Sequence, residues 1–149
     1  MVTTIPFKIL TIDAEGYHLT IKIRINGKFA NVIIDTGASK TVFDLKKIEK
    51  YVTQKKFDKH EKLSTGLGSN KMKSQTTTLK KILIGDVEII NYTTVLLDLS
   101  HVNKSYELIG LSPIEGVLGS DILLKYKAVI DFEKKILKLK HKKAYSAAK

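Results

Sequence analysis

Val32-Ile33-Ile34-Asp35-Thr36-Gly37-Ala38-Ser39 is an apolar run that ends in an aspartate and passes at once into Thr-Gly-Ala. Three successive β-branched residues read as a buried strand. A carboxylate at the end of such a strand is costly unless hydrogen bonds or chemistry justify it. Gly37 lets the chain turn sharply and brings backbone N–H groups toward that carboxylate. Average residue usage produces an Asp-[Ser/Thr]-Gly-[Ala/Ser] string by chance in about one chain in a hundred of this length, so the surrounding sequence must decide its meaning.

Downstream, Gly116-Val117-Leu118-Gly119-Ser120-Asp121-Ile122-Leu123-Leu124 places two apolar residues before a glycine, a polar pair and a short apolar stretch. A strand-like run, Ala128-Val129-Ile130-Asp131-Phe132, follows it. Between the two lies the glycine-containing segment Ser64-Thr65-Gly66-Leu67-Gly68-Ser69-Asn70. In this order, and spread from Ile21 to Leu139, these elements resemble the retropepsin-like (retroviral-type) aspartic proteases. The resemblance implies an all-β fold: a closed acid-protease (retropepsin-like) β-barrel lobe with one or two short helices and a flap hairpin. In that family the second element forms a helix that packs beneath the active-site loop.

The resemblance also implies an activity, an aspartic endopeptidase. It makes Asp35, Thr36 and Gly37 the catalytic loop and assigns Ala38 and Ser39 to substrate binding. Gly66, Leu67, Gly68 and Ser69 become the flap over the substrate. A chain of 149 residues is an ordinary single domain, and Gly119-Ser120-Asp121 has its aspartate on the wrong side of the glycine for a second catalytic loop. The expected assembly is therefore a homodimer in which each protomer contributes one Asp35. Two adjacent carboxylates share a proton, so one acts as base on a bound water while the other acts as acid. No metal or cofactor is expected, because the dyad activates the water itself. In that family the terminal strands of both protomers often interleave; Val2 to Leu10 and Ile136 to Lys140 are the candidate segments here, and both carry lysines. Retroviral members commonly pair an aspartate at the position of Ser39 with an arginine at that of Ser120. Serine at both positions implies a cellular or bacterial relative.

Other segments agree with an all-β body. Leu19, Ile21, Ile23 and Ile25 alternate with Thr20, Lys22 and Arg24, the period of a half-buried strand. Asn26-Gly27 is a strong hairpin signal, with the return strand over Phe29 to Ile34. Leu79 to Ile90 repeats the strand, glycine turn, strand pattern, and Val95-Leu96-Leu97 repeats the apolar run before Asp35. The lobe is therefore expected to be internally duplicated. Apolar spacing over Asp44 to Val52 predicts a short helix with Asp44 as its cap. A second helix is expected over Ser120 to Tyr126, and a solvated loop over Gln54 to Lys62. Residues 1–140 are read as a single protease domain, and 141–149 as a basic C-terminal tail.

The net charge of +11 invites a nucleic-acid role. Against it, Arg24 is the sole arginine, the lysines are scattered, and no nucleic-acid motif is present. The expected partners are a peptide or protein substrate and a second copy of the chain, with no nucleic acid and no membrane segment. His18, His60, His101 and His141 are isolated and lack metal-ligand spacing. The absence of cysteine excludes disulfides and thiol catalysis. Ile5 to Leu10 is too short for a signal peptide and is broken by Pro6 and Lys8, so a chain complete as written would be cytoplasmic. The alternative to an enzyme is a non-catalytic dimerisation or peptide-binding module that retains the protease fold.

Overall fold

The computed structural model describes residues 1–13, 16–53, 58–59 and 75–142. In chain order its elements are β1 (Val2–Pro6), β2 (Lys8–Asp13), β3 (Gly16–Ile25), β4 (Lys28–Ile34), β5 (Val42–Asp44), a 3₁₀ turn (Lys47–Lys50) and β6 (Asp58–Lys59). There follow β7 (Gln75–Ile84), β8 (Val87–Leu97), α1 (Ser100–Leu108), β9 (Gly116–Leu118), α2 (Ser120–Lys125), β10 (Val129–Asp131) and β11 (Ile136–Lys140).

Alternation along β3 does what its period requires. Ile21, Ile23 and Ile25 face inward while Lys22 and Arg24 face solvent. Asn26 and Gly27 both adopt positive φ, 49° and 86°, which gives the two-residue turn whose twist matches the flanking strands. Asn26 also ties this turn across the sheet: its Oδ1 accepts from the Lys81 amide at 3.1 Å, and its Nδ2 donates to the Tyr51 carbonyl at 2.9 Å. Here β3 meets β7 through Arg24–Leu83 and Ile25–Ile82, so the ring β3-β4-β9-β5-β8-β7 closes on itself. Ile25, Leu79, Ile82, Ile84, Leu137 and Leu139 are fully buried inside it. Each such side chain contributes about 1.5–3 kcal/mol relative to exposure.

The duplication expected from the repeated apolar runs is visible in the register. β4 pairs in parallel with β9 (Ile34–Leu118), and β5 pairs in parallel with β8 (Asp44–Leu97). Where β5 and β9 meet antiparallel, Val42–Val117 and Phe43–Gly116 exchange places under an internal two-fold. The same operation carries Asp35, after β4, onto Asp98, after β8. Because β4 and β8 run in opposite directions, the two aspartates leave opposite ends of the ring.

Several local expectations are corrected. Asp44 lies in a strand, and the segment after it forms only the 3₁₀ turn Lys47–Lys50. The Asp44 carboxylate accepts from the Lys47 amide at 2.9 Å and from the Leu99 amide at 2.7 Å, so the residue is tied to two elements where a helix cap would serve one. Asp58–Lys59, read as solvated loop, pairs with β7. α1 (Ser100–Leu108) adds a helix beyond those expected from the sequence. Within the chain β1 pairs with β11 from Val2–Lys140 to Pro6–Ile136, and Met1 and His141 continue the ladder. The helix expected over Ser120 to Tyr126 is present as α2. The flap residues Gly66, Leu67, Gly68 and Ser69 lie outside the described residues, as does most of the tail.

Burial raises the phenols of Tyr51 and Tyr106 from 10.0 to about 12, with the Glu115 charge adding to the effect at Tyr51. An unfolded chain ionises these groups first and so holds fewer protons above pH 10. We predict that stability is independent of these groups below pH 10 and falls between pH 10 and about 12. Absorbance at 295 nm should show a late-titrating class of tyrosines, and Tyr106→Phe should remove one phenolate from it; a single titration near pH 10 would refute this.

Candidate active site

Asp35 stands one residue beyond β4, and its amide donates to the Leu118 carbonyl at 3.0 Å, extending the β4–β9 ladder. The backbone is thus held as strand up to the carboxylate and turns immediately after it. The Gly37 N–H donates to Asp35 Oδ1 at 2.9 Å, and the Ala38 N–H donates to the Asp35 carbonyl at 3.2 Å. Any side chain at position 37 would bring a Cβ to 3.2 Å from that same Oδ1. Asp35, Thr36, Gly37 and Ser39 are exposed, and Ala38 is half-buried.

From below, the loop is fixed by residues of α2 and the strand before it. The Ser120 hydroxyl donates to the Thr36 carbonyl at 2.7 Å, and the Ser120 amide donates to the Ala38 carbonyl at 2.7 Å. Gly119 lies against the backbone of Lys40, where a Cβ would come within 2.6 Å of the carbonyl. Thr41, 2% exposed, accepts from the Gly119 amide through its hydroxyl at 2.9 Å. The same hydroxyl and the Thr41 amide both donate to Asp121 Oδ1, at 2.8 and 2.9 Å. Tyr92 donates its hydroxyl to Asp121 Oδ2, and burial together with that carboxylate pushes the phenol well above its ordinary range. Asp121, set aside in the sequence because it follows its glycine, is the anchor of the loop. Only its position within the quoted Gly119-Ser120-Asp121 string pointed to it; Thr41 and Tyr92 carried no signal.

A cavity of about 480 Å³ opens beside Asp35 and Thr36, walled by Leu19, Ile33, Val102, Val117, Ile130 and Phe132, with His18 and Tyr17 at its side. A second hollow of about 360 Å³ runs from Thr36 over Ser120 to Leu124, Ala128 and Ile130. Val102 comes from α1, in which Val102 and Tyr106 follow Leu99 at helical spacing, with Ile109 continuing the pattern just past its end. That pattern, after the Asp98–Ser100 turn (2.9 Å), was the legible sign of the missed helix. Among the described residues no group of three His, Cys, Asp or Glu is placed to hold a metal ion.

Residues 21–122 match the profile of a family described as aspartyl protease. The chain belongs to the aspartyl protease family. Its fold is also shared with solved retropepsin-like structures. The retropepsin-like aspartic protease from Rickettsia conorii is 22% identical, with a TM-score of 0.54 over 93% of each chain. The retroviral protease-like domain of Ddi1 from Leishmania major is 13% identical, with a TM-score of 0.58 over 82% of this chain and 87% of that one. The EIAV protease, complexed with the inhibitor HBY-793, is 21% identical, with a TM-score of 0.53 over 83% of this chain and all of that one. No functionally curated protein matches the sequence. The relatives in structure thus include a bacterial member beside a retroviral one. In this member of the family the Asp35–Ser39 loop is held by bonds within one chain.

Asp121→Ala would leave the Thr41 amide and the Tyr92 hydroxyl without their acceptor. We predict a loss of about 3 kcal/mol, with Asp121→Asn losing less because one oxygen acceptor remains. Urea denaturation of the three proteins checks this, and equal midpoints would refute it.

Proposed function

We propose that the chain is an aspartic endopeptidase that works as a homodimer. The observation that carries this reading is the Asp35 loop: an exposed carboxylate, oriented by the Gly37 amide, at the mouth of an apolar cavity. An internal second carboxylate is not at hand, since Asp98 leaves the opposite end of the ring. Asp35 of the partner subunit supplies it. In the pair, the ionised carboxylate takes a proton from water while the protonated one donates to the peptide carbonyl oxygen. The proton then passes to the leaving nitrogen. Thr36 bonds across the axis, Gly37 offers its backbone to the substrate, and Ala38 and Ser39 contact it. Gly66, Leu67, Gly68 and Ser69 close over the peptide as the flap.

The surface around Thr36 supports a second copy there. Leu124 is 78% exposed, Phe132 62% and Val129 53%, an unusual density of bare apolar groups beside a polar loop. β10 is a sheet edge with an unused row of backbone groups. This edge and the adjoining α2 face form the contact with the second copy. Each protomer carries +11, so salt strengthens the association by screening.

We predict that wild type cleaves a mixed peptide library between pH 4 and 7, and that Asp35→Ala lowers the rate by about 10³-fold or more, as does pepstatin. Cleavage surviving in Asp35→Ala would refute the mechanism. Absence of cleavage from a dimer confirmed by sedimentation would favour the peptide-binding module. Leu124→Asp should shift sedimentation toward monomer and reduce cleavage while keeping the urea midpoint; a dimer that persists would place the interface elsewhere.

A further inference from the structure

His18, in the lining of the cavity beside Asp35, belongs to a hydrogen-bonded pair that the proposed dyad does not use. β3 and β4 pair Leu19 with Ile34 at the end of their ladder, and His18, the residue before Leu19, lines the same cavity as Asp35. Its Nδ1 lies 2.7 Å from the Tyr106 hydroxyl of α1, with the two rings 5.8 Å apart. Tyr106 is 1% exposed, and its phenol has a single proton to give. A buried phenol held protonated donates that proton to Nδ1, which fixes the neutral imidazole as the Nε2–H tautomer. If the ring is protonated, Nδ1–H donates to the phenol oxygen and Nε2 still carries a proton. In either state Nε2–H is a donor, and among the described residues it has no protein acceptor.

Apart from Tyr17, Asp35 and Thr36, the other residues lining the cavity are apolar, among them Leu19, Val102, Val117, Ile130 and Phe132. A donor whose direction is fixed, set in a largely apolar lining, selects a ligand group that offers an acceptor in the right place. We propose that His18, held by Tyr106, is a specificity-determining residue that reads an oxygen acceptor on a substrate side chain, a carboxamide or a carboxylate, close to the cleaved bond. This rests on the endopeptidase reading for the name of the substrate, but on the pocket alone for the chemistry. The strongly basic chain is compatible with the carboxylate form, and the neighbouring Asp35 with the neutral amide; the two are separated by experiment.

The test uses peptides in which the scissile amide is replaced by a methylene-amine, identical except for Glu, Gln or Leu at each position flanking it. Binding is read by fluorescence anisotropy with wild type, His18→Phe, His18→Gln and Tyr106→Phe, each checked for its urea midpoint. At one position, Glu or Gln should bind wild type about tenfold more tightly than Leu, equivalent to about 1.4 kcal/mol. The ratio should collapse toward one in His18→Phe, fall in Tyr106→Phe and be partly restored in His18→Gln, which keeps a donor. Equal binding of all three peptides at every position overturns the proposal, as does a preference unchanged in His18→Phe, or no binding at all. Cleavage of the corresponding natural peptides is scored separately. Discrimination without cleavage removes the enzyme reading and leaves the subsite; cleavage without discrimination does the opposite.

Discussion

Thr41 and Tyr92 send three hydrogen bonds to one carboxylate, that of Asp121, and the Asp35 loop depends on them. A charge beneath a loop is tolerable only when its acceptor positions are filled. Filling them locks Thr41, whose hydroxyl in turn takes up the Gly119 amide and whose carbonyl accepts from Thr94. α2 is thereby pinned under the strand-to-turn junction, and Ser120 reaches the carbonyl of Thr36. The orientation of the Asp35 carboxylate is thus set by a buried polar network two elements away. With serine at both 39 and 120, the tie from α2 to the loop is an uncharged bond, from the Ser120 hydroxyl to the Thr36 carbonyl.

The internal two-fold explains why one chain does not bring Asp35 and Asp98 together. Equivalent strand ends carry Asp35 and Asp98, yet antiparallel β4 and β8 send them to opposite ends of the ring. Asp98 is exposed, and its bonds to Ser100 hold its carboxyl below the ordinary range. At that end α1 follows where the other end has Thr36-Gly37. Duplication therefore makes a stable barrel without making a dyad, and the second carboxylate in the proposed reaction has to come from another molecule.

α1 also changes the wall beside the proposed catalytic end. Ile33, Leu99, Tyr106 and Ile114 form a small core apart from the main one, with Val102 and Val117 packed against it. Burying Tyr106 there needs a partner for its hydroxyl, and His18 is that partner. A packing requirement of the helix thus sets the polarity of the cavity next to Asp35.

Periodic and local signals were legible in the chain. Odd-numbered apolar residues of 19–25, the Asn26-Gly27 turn, the repeated apolar runs and Asp35-Thr36-Gly37 each depend on neighbours in sequence. Local geometry suffices to read them, and with the Gly116–Leu124 element they determined the family, the all-β class and the loop. Tertiary structure decided what depends on residues far apart in sequence. It turned Asp44 from a helix cap into a strand end bonded to Leu99, closed β1 onto β11, and brought Thr41, Tyr92 and Asp121 together. It also set Tyr106 against His18 across 88 positions of chain. The reason is physical: a strand or turn announces itself through a repeat of two or a positive φ, whereas the partner of a buried hydroxyl or carboxylate is chosen only when the barrel closes.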